Sequence, residues 1–142
     1  MIIVTDTREQ APLQFSCPNI TRTLATGDYS VQGLEFEICI ERKSLNDLIQ
    51  SLFHDWVRFS KVLRRMASMN VAAIICEAPI SHLMEKKYES ETLPQSATGR
   101  INSILIDFGV PTLFLDNREI SSQWIEQLFR LYSEKQNGTK SS

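Results

Sequence analysis

A chain of 142 residues, 42% of them hydrophobic and 23% charged, has the size and make-up of one compact domain with a core, so a single site is expected. No apolar run approaches the ~20 residues needed to span a bilayer, and the opening MIIVTDTREQ lacks the basic region and apolar stretch of a signal peptide; a soluble, cytoplasmic protein without membrane contact is expected. The formal charge of −2 shows no overall basic excess, yet Arg42 to Arg65 holds six Lys or Arg against two acids, a local +4, and the remainder carries −6.

In chain order, Met1–Asp6 (MIIVTD) suits a buried strand that delivers Asp6 to its exposed end. Pro12 and Pro18 mark a loop, and Thr21–Leu24 reads as a short strand. Thr26-Gly27-Asp28 is a turn, after which Tyr29–Val31 and Phe36–Arg42, separated by Gln32-Gly33-Leu34-Glu35, form a β-hairpin. Ser44-Leu45-Asn46-Asp47 has the S-x-x-D pattern of a capping box, so a helix starts right after Lys43 and continues through Leu48, Ile49 and Leu52. Asp55–Met69 is a second helix, with Trp56, Phe59, Val62, Leu63 and Met66 on its apolar face and Arg58, Lys61 and Arg65 on the other. Val71–Cys76 is a central strand, Lys86–Thr98 a polar loop, and Ile101–Phe108 a helix with Ile101, Ile104, Leu105 and Phe108 inward, ended by Gly109. Pro111–Leu115 is another strand, and Ser121 caps a final helix that buries Trp124, Ile125, Leu128, Phe129 and Tyr132. Gln136–Ser142 reads as a disordered tail, leaving one domain over 1–135. The order predicts an α/β fold, a mixed sheet with helices on both faces.

Cys17, Cys39 and Cys76 are odd in number, widely separated and free of C-x-x-C spacing, which excludes a disulfide framework and a zinc site; His54 and His82 do not alter that. The chemistry rests on acids. Glu41 and Lys43 lie two apart in a strand and so share a face, while Arg42 points away. Asp28, thirteen residues before Glu41 and across the hairpin, can join it, and two carboxylates make a site for a hard cation. Phosphodiester hydrolysis needs charge neutralisation and a source of hydroxide, which Mg²⁺ on such oxygens supplies, with Lys43 orienting water or stabilising developing charge. Asp6 could complete the metal shell while Arg8 contacts phosphate and Glu9 stands alongside.

The segments Val4-Thr5-Asp6-Thr7-Arg8-Glu9, Gly27-Asp28-Tyr29 and Glu41-Arg42-Lys43-Ser44-Leu45-Asn46-Asp47-Leu48 together resemble the XPF-type nuclease domain, the stand-alone bacterial and phage members most of all. The likeness continues more loosely through Arg58-Phe59, VAAIICE and INSILIDFGVPTLFL, up to about Tyr132. It implies a restriction-endonuclease-like core and Mg²⁺- or Mn²⁺-dependent cutting of branched, flap or other structured DNA. Asp6, Asp28 and Glu41 match the family's metal-binding acids, Lys43 its catalytic lysine, and Arg8, Glu9 and Arg42 its supporting charges. Only ten residues follow Tyr132, which leaves no room for the helix-hairpin-helix module of larger relatives; a homodimer or a companion protein for targeting is expected.

Plainer readings stand beside these. Asp47 reads as a reciprocal helix cap rather than a catalytic acid. Arg42 either pairs with an acid such as Asp47 or touches substrate. Arg58, Lys61 and Arg65 either track phosphates or form a solvated face. Tyr29 fills the core or stacks on a base, and His54 aids the site or merely precedes the second helix. Trp56, Trp124 and Tyr132 belong to a core or a dimer interface, with Leu128 and Phe129 open to burial against a second subunit. A non-catalytic DNA-binding or scaffold module of the same fold is the alternative function; a glycosidase is disfavoured by Lys43 and the basic helix.

Overall fold

The computed structural model describes residues 1–141, with side chains to residue 138. Eleven elements follow in order: β1 (Ile3–Thr5), β2 (Asn19–Thr21), β3 (Tyr29–Val31), β4 (Ile38–Lys43), α1 (Leu45–Leu52), α2 (Trp56–Ala67), β5 (Val71–Cys76), α3 (Ile80–Met84), α4 (Pro94–Phe108), β6 (Thr112–Phe114) and α5 (Arg118–Ser141). The strands form one mixed sheet in the order β2-β1-β3-β4-β5-β6. β3 is antiparallel to both β1 and β4, whereas β1–β2, β4–β5 and β5–β6 are parallel.

Two cores lie on opposite faces of this sheet, and the alternation of β4 and β5 divides their side chains between them. Cys39, Ile74 and Cys76 pack with Leu48, Leu52, Leu63, Met66 and Ile104 of α1, α2 and α4. Ile38, Ile40, Ala73 and Ile75 pack with Ile125 and Phe129 of α5. Burying a Leu, Ile or Phe contributes roughly 1.5–3 kcal/mol relative to exposure, and a one-residue slip of β4 would exchange its two sets. The register that puts Cys39 toward α1 and α2 therefore also puts Glu41 and Lys43 there, and turns Arg42 toward the α5 side.

Local signals hold at many boundaries. Ser44 Oγ accepts the Asp47 backbone N–H at 3.1 Å and caps α1, and Gly109 closes α4 in the left-handed region at φ 69°. Several expectations need correction. The second strand is Asn19–Thr21 rather than Thr21–Leu24, because the Leu24 backbone instead holds the side chains of Asp6 and Arg8. The polar stretch after Lys86 is not all loop: α4 begins at Pro94, a residue well suited to a first turn. Ala97 and Ile104 are its buried positions, while Leu105 is 48% exposed. Asn117, not Ser121, caps α5, since Asn117 Oδ1 accepts the Ile120 N–H at 2.9 Å and Ser121 is fully buried within the helix.

The last helix continues past Lys135 to Ser141, where a disordered tail was expected; Ser142 lies outside the described residues. Phe129 is fully buried inside the chain, and the Tyr132 hydroxyl donates to Glu37 and accepts from Asn70. These contacts dock α5 onto the sheet. Among the described residues no helix is long and apolar enough to cross a membrane.

Candidate active site

The turn before β3 sets the first acid. Gly27 has φ +85°, and a Cβ there would lie 2.9 Å from Cys39 Cβ and 3.2 Å from the Ile40 carbonyl oxygen. Only glycine lets the chain run this close to β4 in that conformation. Asp28 is then held by its backbone between two strands: its N–H donates to Ile40 O, and its carbonyl accepts from Asp6 N, both at 2.8 Å. Its Oδ2 accepts the Arg42 backbone N–H at 2.7 Å. Burial, and next the charge of Glu41, push the Asp28 carboxyl up to about 7.

Glu41 and Lys43 emerge together on the α1/α2 face of β4, as the strand period requires. Lys43 Nζ lies 3.6 Å from Glu41 Oε2 and 5.1 Å from the centre of the Phe59 ring, which supports it from α2. Burial raises the Glu41 carboxyl above its ordinary range; Lys43 opposes that shift, and the charges of Glu9 and Asp6 add to it. Glu41 and Lys43 open into a cleft of about 230 Å³ shared with Asp47, Gln50, Asp55 and Arg58. Arg58, Lys61 and Arg65 are all exposed, and none of the three forms an ion pair among the described residues. Arg58 alone of this stripe lines the cleft.

Asp6 is occupied differently. Its carboxylate is buried and accepts four hydrogen bonds, from the Arg8 N–H, Arg8 Nε, Arg8 Nη2 and the Leu24 N–H, at 2.8 to 3.1 Å. Burial alone would raise its pKa, but the Arg8 side chain and these backbone donors outweigh it and hold the group below its ordinary value. Among the described residues no three of His, Cys, Asp or Glu come together as a ready metal cage. The Asp28 carboxylate is bonded to the β4 backbone beside Glu41, whereas Asp6 is taken up by Arg8, whose side chain is 70% exposed.

Arg42 faces the other side of the sheet. Its Nε donates to Glu77 Oε1 at 2.5 Å, and its Nη1 donates to Glu9 Oε2 at 2.9 Å and to Ala11 O at 2.7 Å. Its partners are Glu77 and Glu9, not Asp47. Glu9 also accepts the Tyr29 hydroxyl at 2.5 Å, and that oxygen accepts the Leu13 N–H. Tyr29 is fully buried, so it belongs to the core and to this network. Glu77 escaped the sequence reading, although parallel pairing of β5 with β4 puts it next to Lys43: its N–H donates to Lys43 O at 3.1 Å. Among the described residues His54 makes no hydrogen bond or ion pair to these acids.

A family model described as the ERCC4 domain matches residues 5–128. Two similar solved structures are XPF from Aeropyrum pernix and the same protein in complex with DNA. The first is 24% identical with a TM-score of 0.76, covering 93% of this chain and 61% of that one. The second is 23% identical with a TM-score of 0.76, covering 94% and 66%. The chain therefore spans less than two thirds of either structure, and likeness at that identity establishes the fold. No curated protein matches. Because the family match runs from the end of β1 into α5 and takes in every acid described above, the chain belongs to the ERCC4 domain family, the XPF-type nuclease domains that its motifs resemble.

Proposed function

We propose that this chain is a DNA endonuclease that hydrolyses phosphodiester bonds with the help of Mg²⁺ or Mn²⁺. One observation carries the reading: Asp28, bonded to the β4 backbone, and Glu41 are half-buried neighbours, and Glu41 and Lys43 line a cleft that is also lined by Arg58, which is unpaired among the described residues. Two carboxylates suit Mg²⁺, which needs few protein ligands and completes its shell with water and phosphate oxygens. Their raised proton affinities come first from burial, with the mutual charge of the acids adding for Asp28, and Lys43 offsets only part of this. Held by Asp28 and Glu41, the ion would neutralise charge on the phosphate and supply hydroxide near neutral pH. Lys43 orients the attacking water or donates to a phosphate oxygen. Arg8, anchored by Asp6 through Nε and Nη2, keeps Nη1 for the DNA backbone. Arg58 binds the adjacent phosphate, and Lys61 and Arg65 extend its positive field along α2. A cleft of about 230 Å³ has room for one scissile phosphate and its sugar.

A non-catalytic DNA-binding module is the second reading, favoured by the full occupation of Asp6. Against it stands the half-buried Asp28–Glu41 pair, two neighbouring carboxyls whose desolvation is unfavourable and that a scaffold does not need. Cleavage of labelled duplex, single-stranded, flap, fork and four-way-junction DNA with Mg²⁺, Mn²⁺ or EDTA, using wild type and Asp28→Asn, decides between them. Metal-dependent cutting lost in the variant supports the nuclease. DNA bound but uncut by wild type under every condition supports the module.

A further inference from the structure

We propose that Arg100 is a second phosphate-binding residue, which takes the DNA backbone outside the cleft, on the α4 side of the turn between α1 and α2. The inference rests on the DNA reading above and adds to it a contact and a direction for the strand.

Arg100 lies in α4 with its guanidinium carbon 4.3 Å from the centre of the Trp56 ring and 5.3 Å from that of Phe53. Stacking on aromatic faces fixes a planar guanidinium without using its donors, because its N–H groups point outward within the plane. Among the described residues these donors make no hydrogen bond or ion pair. The other arginines fall into two groups. Arg8, Arg22, Arg42, Arg118 and Arg130 are matched to carboxylates or carbonyls. Arg58, Arg64 and Arg65 are unmatched but exposed, with nothing that fixes them. Apart from Arg8, which keeps only Nη1, Arg100 is the arginine among the described residues that combines a fixed position with unused donors, the arrangement that binds an oxyanion with little further loss of side-chain freedom.

Its place in the fold names the ligand. Phe53 follows α1 and Trp56 opens α2, two residues before Arg58, which lines the cleft with Glu41 and Lys43. α4 packs against both helices. A strand leaving the cleft past Arg58 and crossing the turn therefore meets Arg100, and the chemistry that fits a flat, doubly donating cation there is a backbone phosphodiester.

The test uses the full chain in EDTA, where DNA is bound and not cut, with labelled flap and single-stranded DNA titrated by anisotropy over a salt series. Arg100→Gln should weaken binding several-fold at moderate salt and reduce the slope of log K against log salt by about 0.7–0.9, the loss of one phosphate contact. Arg100→Lys should keep the slope. A packing role alone would lower the melting temperature and leave the slope of the folded protein unchanged. In a Trp124→Phe background, which leaves Trp56 as the sole indole, saturating DNA should alter Trp56 emission; this readout does not require the Arg100→Gln variant to fold. Equal slopes in wild type and Arg100→Gln, or unchanged Trp56 emission with DNA bound, overturns the inference and leaves the nuclease reading standing. Failure of wild type to bind any DNA overturns both.

Discussion

Replacing Gly27 by alanine puts a methyl group into the contact between the Asp28 turn and β4. The new carbon would stand 2.9 Å from Cys39 Cβ, 3.1 Å from its Sγ and 3.2 Å from the Ile40 carbonyl oxygen, at φ +85°. None of these is the mobile end of a long side chain, so the turn itself must shift. Holding an L-residue in the left-handed region costs about 1 kcal/mol or more, and overpacking a filled site costs roughly 1–3 kcal/mol. A loss of about 2–4 kcal/mol follows, equivalent to a melting temperature lower by roughly 6–12 °C for a chain of this size. Gly33→Ala is the control: its φ is +90° but a Cβ there meets nothing within 4 Å, so only the backbone cost of about 1 kcal/mol applies. Urea unfolding with a common m-value measures both variants. Moving the turn also strains the Asp28 N–H to Ile40 O bond and draws the Asp28 carboxylate away from Glu41, so stabilisation of Gly27→Ala by added Mg²⁺ should shrink. Equal losses for Gly27→Ala and Gly33→Ala would refute the packing argument, and full Mg²⁺ stabilisation in Gly27→Ala would refute the claim that this glycine positions the acid.

Four further outcomes are expected. Asp28 titrates at about 7 in the fold against 3.8 as its ordinary value, so the folded state holds the extra proton between those limits and wild-type stability in EDTA falls as pH rises through them; Asp28→Asn should remove most of a loss on the order of a few kcal/mol, read by urea unfolding at pH 5 and pH 8. Lys43→Ala should slow cleavage about 100-fold or more with Mg²⁺ binding by calorimetry nearly unchanged. Hydrogen bonds, first from the Ser16 side chain and then from the Ser16 and Cys17 N–H groups, hold the Glu126 carboxyl below its ordinary value; stability it contributes is present above the unfolded value and lost as pH falls through the folded one. Glu126→Gln should thus lose about 1 kcal/mol near neutrality and show a shallower acid transition by circular dichroism. Asn117→Ala should cost about 1 kcal/mol as the loss of a helix cap, whereas Ser121→Ala, whose Oγ is buried without a partner among the described residues, should be neutral or stabilising in the same unfolding assay.

Much of the site was readable because it depends on short-range covalent geometry. Strand alternation alone puts Glu41 and Lys43 on one face and Arg42 on the other, and the helix that follows is announced by Ser44 and Asp47 three residues apart. The apolar spacing of α2 likewise separates Phe59 and Leu63 from Arg58 and Lys61. Where the reading went astray, polar composition masked a helix: α4 begins with Pro-Gln-Ser-Ala-Thr-Gly, which resembles a loop until Ala97 finds its buried place against the first core.

What the tertiary structure decided was the partner of each charge. Asp6, Arg8 and Leu24 form one hydrogen-bonded unit that closes over β2, Arg42 turns to Glu77 just past the end of a neighbouring strand, and Arg100 stacks on two rings, one after α1 and one opening α2, that precede it by more than forty residues. The periodicity of a strand or helix follows from bonds within a few residues and is written in the chain. Which donor answers which acceptor depends on strands and helices brought together by burial of the two cores, and desolvation then leaves each charge only the partners that packing has placed within reach.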